Sequence, residues 1–146
     1  MLTNLAVAAI VVAAAMTIGL KAYLLVQLPV LMIAGAGGIW LFYVQHQFEN
    51  TYWERHEKWD FAEQALRGSS FYKLPRIFQW FSGNIGFHHV HHLSSRIPNY
   101  FLERCHKSSP LLLTVKPLTF KRSLRAMRLH LWDEDRRRLV GFDSVT

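Results

Sequence analysis

The sequence predicts a mostly α-helical membrane protein, with a two-span helical hairpin followed by a cytoplasmic helical cap that carries metal-ligating histidines. Three observations predict it. Residues 1–48 hold a single charged residue, Lys21, whereas residues 49–146 hold all ten acidic residues and sixteen of the seventeen basic ones. Residues 2–20 and 22–44 are both free of charge, and each is close to the roughly 20 apolar residues that a helix needs to cross a bilayer. The stretch "GNIGFHHVHHL", residues 83–93, contains four of the eight histidines.

The first 48 residues read as a hairpin turning near Gly19 to Lys21. Pro29 and the "GAGG" at 35–38 would be poor in a water-soluble helix; in a membrane, Gly and Pro are tolerated and small residues permit close helix contact. A cleaved signal peptide is the competing reading, but no Lys or Arg precedes the apolar core and a second apolar stretch follows it. The basic residues after the second stretch place residues 49–146 in the cytoplasm by the positive-inside rule. The single cysteine, Cys105, cannot form an internal disulfide, which fits a reducing compartment.

Residues 49–146 carry a net charge of +6. Nucleic acid is one partner of a basic surface. Here the charge directly follows a membrane anchor and is interleaved with Trp53, Trp59, Phe61, Phe71, Tyr72, Phe78, Trp80 and Phe81. That mixture fits the headgroup level of a bilayer and disfavours nucleic acid.

Along this part, residues 49–66 lead into a helix ending near Gly68, and "GSS" at 68–70 is a break. Residues 75–93 are expected to be helical, with Pro75 in the first turn and Gly83 and Gly86 weakening the middle. "SSRIPNY" at 94–100 is a turn, since Pro98 disfavours helical geometry at Ile97. At 119–129, Phe120, Leu124, Met127 and Leu131 recur at spacings of 4, 3 and 4, which predicts an amphipathic helix packed on the domain or on lipid headgroups. "DEDRRR" at 133–138 reads as a solvated turn.

The chemistry concentrates in the HxxHH set His88, His91 and His92. On a helix, positions i, i+3 and i+4 share a face, and three neutral imidazoles there suit iron, zinc or copper. His89 points elsewhere. His46, at the cytoplasmic end of the second span, reads equally as a ligand or as an interfacial histidine bonded to a backbone carbonyl. His56, His106 and His130 stand alone and read as surface or structural residues.

Together, "WLFYVQHQFENTYWERHEKWDF", "GSSFYKLP" and "GNIGFHHVHHLSSRIPNY" closely resemble the C-terminal part of membrane fatty acid desaturases, particularly bacterial acyl-lipid desaturases. The resemblance covers nearly the whole chain and is strongest from Trp40 to Tyr100. It implies that His88, His91 and His92 form the family's third histidine box and that His46 is its further histidine, all four ligating a di-iron centre. The implied reaction is an O2-dependent desaturation that places a cis double bond in an acyl chain. Its substrate is an acyl lipid or acyl-carrier species, and its electrons come from a ferredoxin- or cytochrome-type donor. Gln45 and Asn84 could orient ligand imidazoles through their second ring nitrogens; ordinary helix or interface hydrogen bonding explains both equally well.

The family's first two histidine boxes have no counterpart here. The expectation is therefore a C-terminal portion with about half the ligand set, inactive alone. A related membrane di-iron lipid hydroxylase or ketolase, a non-catalytic metal-binding membrane protein and an inactive remnant are the alternatives.

Overall fold

The computed structural model describes residues 1–144 and divides into two compact units, residues 1–40 and the remainder from Leu41. The first is helical from Leu2 onward. Helix α1 (Leu2–Ala14) runs into a π-helical turn (Ala15–Gly19), and α2 (Leu20–His46) follows. None of residues 1–40 is buried, so their apolar surface gains nothing from the protein itself. The run Leu2–His46 is long and apolar enough to cross a membrane.

The expected turn near Gly19 to Lys21 is occupied by helix. The departure from α geometry falls at the expected place, with Gly19 at φ +87°. A π turn widens the helix while keeping its N–H groups paired, and Thr17 adds a bond from Oγ1 to the Ala13 carbonyl at 2.8 Å. The chain therefore leaves α geometry at residues 15–19, and the positive φ of Gly19 interrupts the helical path there.

The second unit begins with the last turn of α2 and is built from short elements. After a 3-10 turn (His56–Lys58), α3 (Phe61–Arg67) opens on Asp60, whose carboxylate accepts from the Glu63 N–H at 2.8 Å, and closes at Gly68, as the sequence indicates. Strand β1 (Phe71–Tyr72) precedes α4 (Arg76–Phe81) and α5 (His88–Leu93). A 3-10 turn (Asn99–Phe101) then leads to α6 (Leu102–Ser108), α7 (Pro110–Leu113), β2 (Pro117–Leu118) and α8 (Phe120–Ala126). Strands β3 (Leu131–Asp133) and β4 (Arg138–Val140) form an antiparallel hairpin, while β1 pairs with β2 in parallel, Tyr72 opposite Leu118.

The helix expected over 75–93 is two helices. Gly83 and Asn84 both take positive φ, +62° and +57°, which no α-helix accommodates. The intervening loop then brings Gly86 under β1: Tyr72 N–H donates to the Gly86 carbonyl at 2.7 Å, and a Cβ on Gly86 would collide with the Tyr72 carbonyl and the Gln79 side chain. This close approach aims α5 inward.

Phe87, Val90, Leu102 and Leu112 form the core, with Leu66, Phe71, Leu93, Ile97 and Cys105 packed against it. Phe71 and Tyr72, expected at the headgroup level, belong to this interior. Tyr72 is 1% exposed and its hydroxyl lies 3.1 Å from Ser123 Oγ. Helix α8 buries Ser123 and Ala126 and leaves Phe120, Leu124 and Met127 exposed, so of the two expected packings the apolar stripe does not take the one against the domain. Small residues permit closer backbone approach, so the larger apolar stripe faces outward.

The last turn of α2 is held at its sides. Tyr43 Oη reaches the Ala126 carbonyl at 3.4 Å, and Gln47 Nε2 donates to the Leu129 carbonyl at 3.0 Å. The β3–β4 hairpin closes from beyond, with Leu139 N–H donating to the Glu49 carbonyl at 3.0 Å. The "DEDRRR" turn at its tip forms ion pairs with the 49–55 segment, Arg55 with Glu134 at 2.7 Å and Arg137 with Glu54.

Candidate metal centre

Three histidines converge. His46 is the last residue of α2, and His88 and His92 stand one turn apart on α5. Their Nε2 atoms form a nearly equilateral triangle: 3.0 Å from His46 to His92, 3.2 Å from His46 to His88 and 3.0 Å from His88 to His92. A point about 2.0–2.1 Å from all three, the usual imidazole–metal distance, exists roughly 1 Å off their plane and subtends angles of roughly 95–105°. Those angles lie between octahedral and tetrahedral values, so the donor set fits a transition metal such as iron.

The tautomers support the fit. His46 Nδ1–H donates to the Phe42 carbonyl at 2.8 Å, which leaves the Nε2 lone pair of the neutral ring pointing into the triangle. A ring fixed through its second nitrogen is the usual condition of a metal-binding histidine. The carbonyl bond expected of an interfacial His46 is thus present at Nδ1, and Nε2 is left turned toward His88 and His92. Burial, followed by His92, His46, His91 and His89 in that order, pushes His88 down to about 3. Burial, then His46 and His91, lowers His92. A neutral imidazole carries one N–H and one lone pair, so each ring has a nitrogen available to a metal at physiological pH.

His91 stands apart from the triangle. Its ring stacks against that of His88 at 5.6 Å, and the close group of potential ligand atoms comprises His46, His88 and His92. Position i+3 lies on the edge of the face shared by i and i+4, so the ring flanks the cluster.

Gln45 and Asn84 act through the backbone. Gln45, 2% exposed, donates from Nε2 to the Ile85 carbonyl at 2.7 Å. Its own carbonyl accepts the Ser70 N–H at 2.9 Å. Asn84 Nδ2 donates to the Asn99 carbonyl at 3.2 Å. Gln45 thus fixes the end of α2 to the loop that launches α5, and so sets the distance between His46 and its two partners.

Sequence reasoning missed one pair. His106, read as solitary, is buried on α6 with its Nδ1 3.0 Å from Nε2 of the fully buried His89. Phe71 and Phe87 pack on the His106 ring at 4.7 and 5.3 Å. Burial and then His106 push His89 down to about 4, against a raising contribution from the Ser70 backbone; burial is also the largest cause lowering His106. The pair pins the back of α5 and so holds His88 and His92 toward His46. The 17-residue separation gives no local periodicity that could have revealed it.

A family model described as fatty acid desaturase matches residues 1–120. A curated relative, "Fatty acid desaturase" from Bacillus subtilis (strain 168), is 49% identical over 144 residues, covering 99% of this chain and 41% of the relative. The chain therefore spans about two-fifths of the relative's length. No solved structure matches.

Proposed function

Because this chain belongs to the fatty acid desaturase family, we propose that it is the C-terminal part of an iron- and O2-dependent membrane acyl-lipid desaturase. The observation that carries the proposal is the Nε2 triangle of His46, His88 and His92. These three residues would hold one iron. His91, beside them, would serve a second together with histidines from outside these 146 residues.

Iron at this position supplies the capacity to use O2 for removing two hydrogens from adjacent methylenes; two electrons from a ferredoxin- or cytochrome-type donor and two protons complete the reduction to water. The residues of this chain do the holding. The Phe42 carbonyl keeps His46 in its ligating tautomer, Gln45 sets the spacing between α2 and α5, and burial keeps His88 and His92 neutral. Placing one C–C bond of a featureless acyl chain against this centre is a matter of position rather than of further acid–base groups.

The membrane reading follows from length. A helix of 45 residues would extend about 68 Å, roughly twice the hydrocarbon thickness of a bilayer. Two crossings, over about 2–20 and 22–44, with the reversal at the π turn and Gly19, reconcile the length with the membrane. The positive charge after the second crossing supports a cytoplasmic position for the histidines.

The test is lipid product analysis from cells expressing this chain alone and, separately, the full-length Bacillus subtilis relative with this chain replacing its matching segment. New cis double bonds only with the longer protein are expected. Hydroxylated products would transfer the reading to a lipid hydroxylase, and desaturation by residues 1–146 alone would overturn the incomplete ligand set.

A further inference from the structure

A groove lies apart from the histidines, between the β1–α4 segment and α6, with a volume of about 770 Å³. Its walls include four cations, Lys73, Arg76, Arg104 and Lys107, one carboxylate, Glu103, and two aromatic rings, Trp80 and Tyr100. Glu103 bonds to Lys107 at 2.6 Å. Among the described residues, Lys73, Arg76 and Arg104 form no ion pair within the 4.0 Å that defines one. A surplus of three positive charges therefore faces solvent.

The aromatic rim is open as well. Trp80 is 73% exposed, Phe81 72% and Tyr100 68%, beside the equally uncovered Ile77 and Phe78. Large apolar side chains left in water at this density mark an interaction surface. The position narrows the occupant. Asn84 N–H donates to the Gln79 carbonyl of α4 at 2.6 Å, and the next residue, Ile85, accepts from Gln45 at the foot of the apolar helix. Helix α4 is thus tethered beside the residues where the apolar run ends, the level at which Trp, Tyr, Lys and Arg gather at a bilayer surface.

We propose that this groove seats the phosphate headgroup of an anionic phospholipid, with Lys73, Arg76 and Arg104 around the phosphate and Trp80 and Tyr100 at the glycerol and upper acyl level. The inference rests on the membrane reading of α1 and α2 and is independent of the desaturation chemistry.

The test uses the full chain in phosphatidylcholine nanodiscs containing a minor fraction of either phosphatidylglycerol or phosphatidylcholine brominated at shallow acyl carbons. The signal is the tryptophan quenching that disappears in Trp80→Phe. It should be stronger with brominated phosphatidylglycerol, and the preference should fall by about fivefold for each charge removed in Arg76→Gln or Arg104→Gln. Either substitution suffices if the other prevents folding, since both side chains are exposed. Equal quenching by the two lipids would overturn the proposal. So would a Trp80 signal untouched by either lipid, the result expected if another protein segment covers the groove. Loss of the preference on adding inorganic phosphate would convert the groove into a free-anion site and likewise sink the lipid assignment. Incorporation into nanodiscs without a Trp80 preference would leave the membrane reading standing while the groove proposal fails.

Discussion

His92 Nε2 lies 3.0 Å from His46 Nε2, across 46 positions of sequence and from a different helix. Imidazole nitrogens this close, with the His46 lone pair turned inward, repel one another unless a proton or a cation lies between them. With His88 the pair becomes a three-nitrogen seat, and the lowered pKa of His88 and His92 disfavours an additional, charging proton there.

Removal of any one of the three should be felt by a metal. His46→Ala, His88→Ala and His92→Ala are each expected to weaken Co(II) binding by tenfold or more, on the order of 1.4 kcal/mol at least. His91→Ala should leave it within about twofold, since that ring is outside the triangle. Titration followed by the visible absorption of Co(II) measures both; an effect of His91→Ala equal to the other three would refute the grouping.

The His89–His106 pair makes a prediction away from the seat. His106→Phe should destabilise the second unit by roughly 1–3 kcal/mol, because it leaves the fully buried His89 without its partner. His106→Asn, which can still bond to His89, should recover part of the loss. Thermal melting in detergent monitored by near-ultraviolet circular dichroism reads the difference, and a His106→Phe chain as stable as the parent would contradict it.

Gln45→Leu keeps volume and removes the bond to Ile85. The expected loss is about 1–2 kcal/mol, as the Ile85 carbonyl is left with an apolar neighbour. Metal affinity should fall with it although no ligand has changed. Unchanged Co(II) affinity would mean that the 2.7 Å bond does not set the spacing of α2 and α5.

Acid should loosen the metal-free chain. His88, His89, His92 and His106 are all lowered from their ordinary value. The unfolded chain therefore binds more protons below about pH 6.5 than the folded one, and stability falls as the pH drops. For His89, lowered to about 4, the loss approaches roughly 3 kcal/mol by the time that pH is reached. Denaturant midpoints that stay flat from pH 7 to about pH 4 would argue against buried neutral histidines.

Much of this was legible in the sequence. Gly68 ends α3, the Pro98 turn falls where expected, and two of the three HxxHH histidines join His46. These are local signals: a cap, a forbidden backbone angle and a helical spacing. What was not legible is non-local. The strand pairs are two and three residues long, too short for alternation to register. The direction of α5 after the break at Gly83 and Asn84 depends on Gly86 meeting Tyr72. The outward face of α8 depends on Ser123 and Ala126 finding a neighbour that accepts only small side chains. The amphipathic spacing of Phe120, Leu124 and Met127 marked the helix, but not which of its faces would turn to the domain.

The side clamps on α2 bear on where this chain can be cut. The family model ends at residue 120, but the carbonyls that receive Tyr43 and Gln47 belong to Ala126 and Leu129, and the N–H that meets Glu49 belongs to Leu139. A chain trimmed to the end of the family model would retain every proposed ligand and lose the scaffold on both sides of His46. The smallest piece that keeps these clamps on that histidine's helix extends through β4, so the end of the family model and the end of the supporting scaffold are different residues.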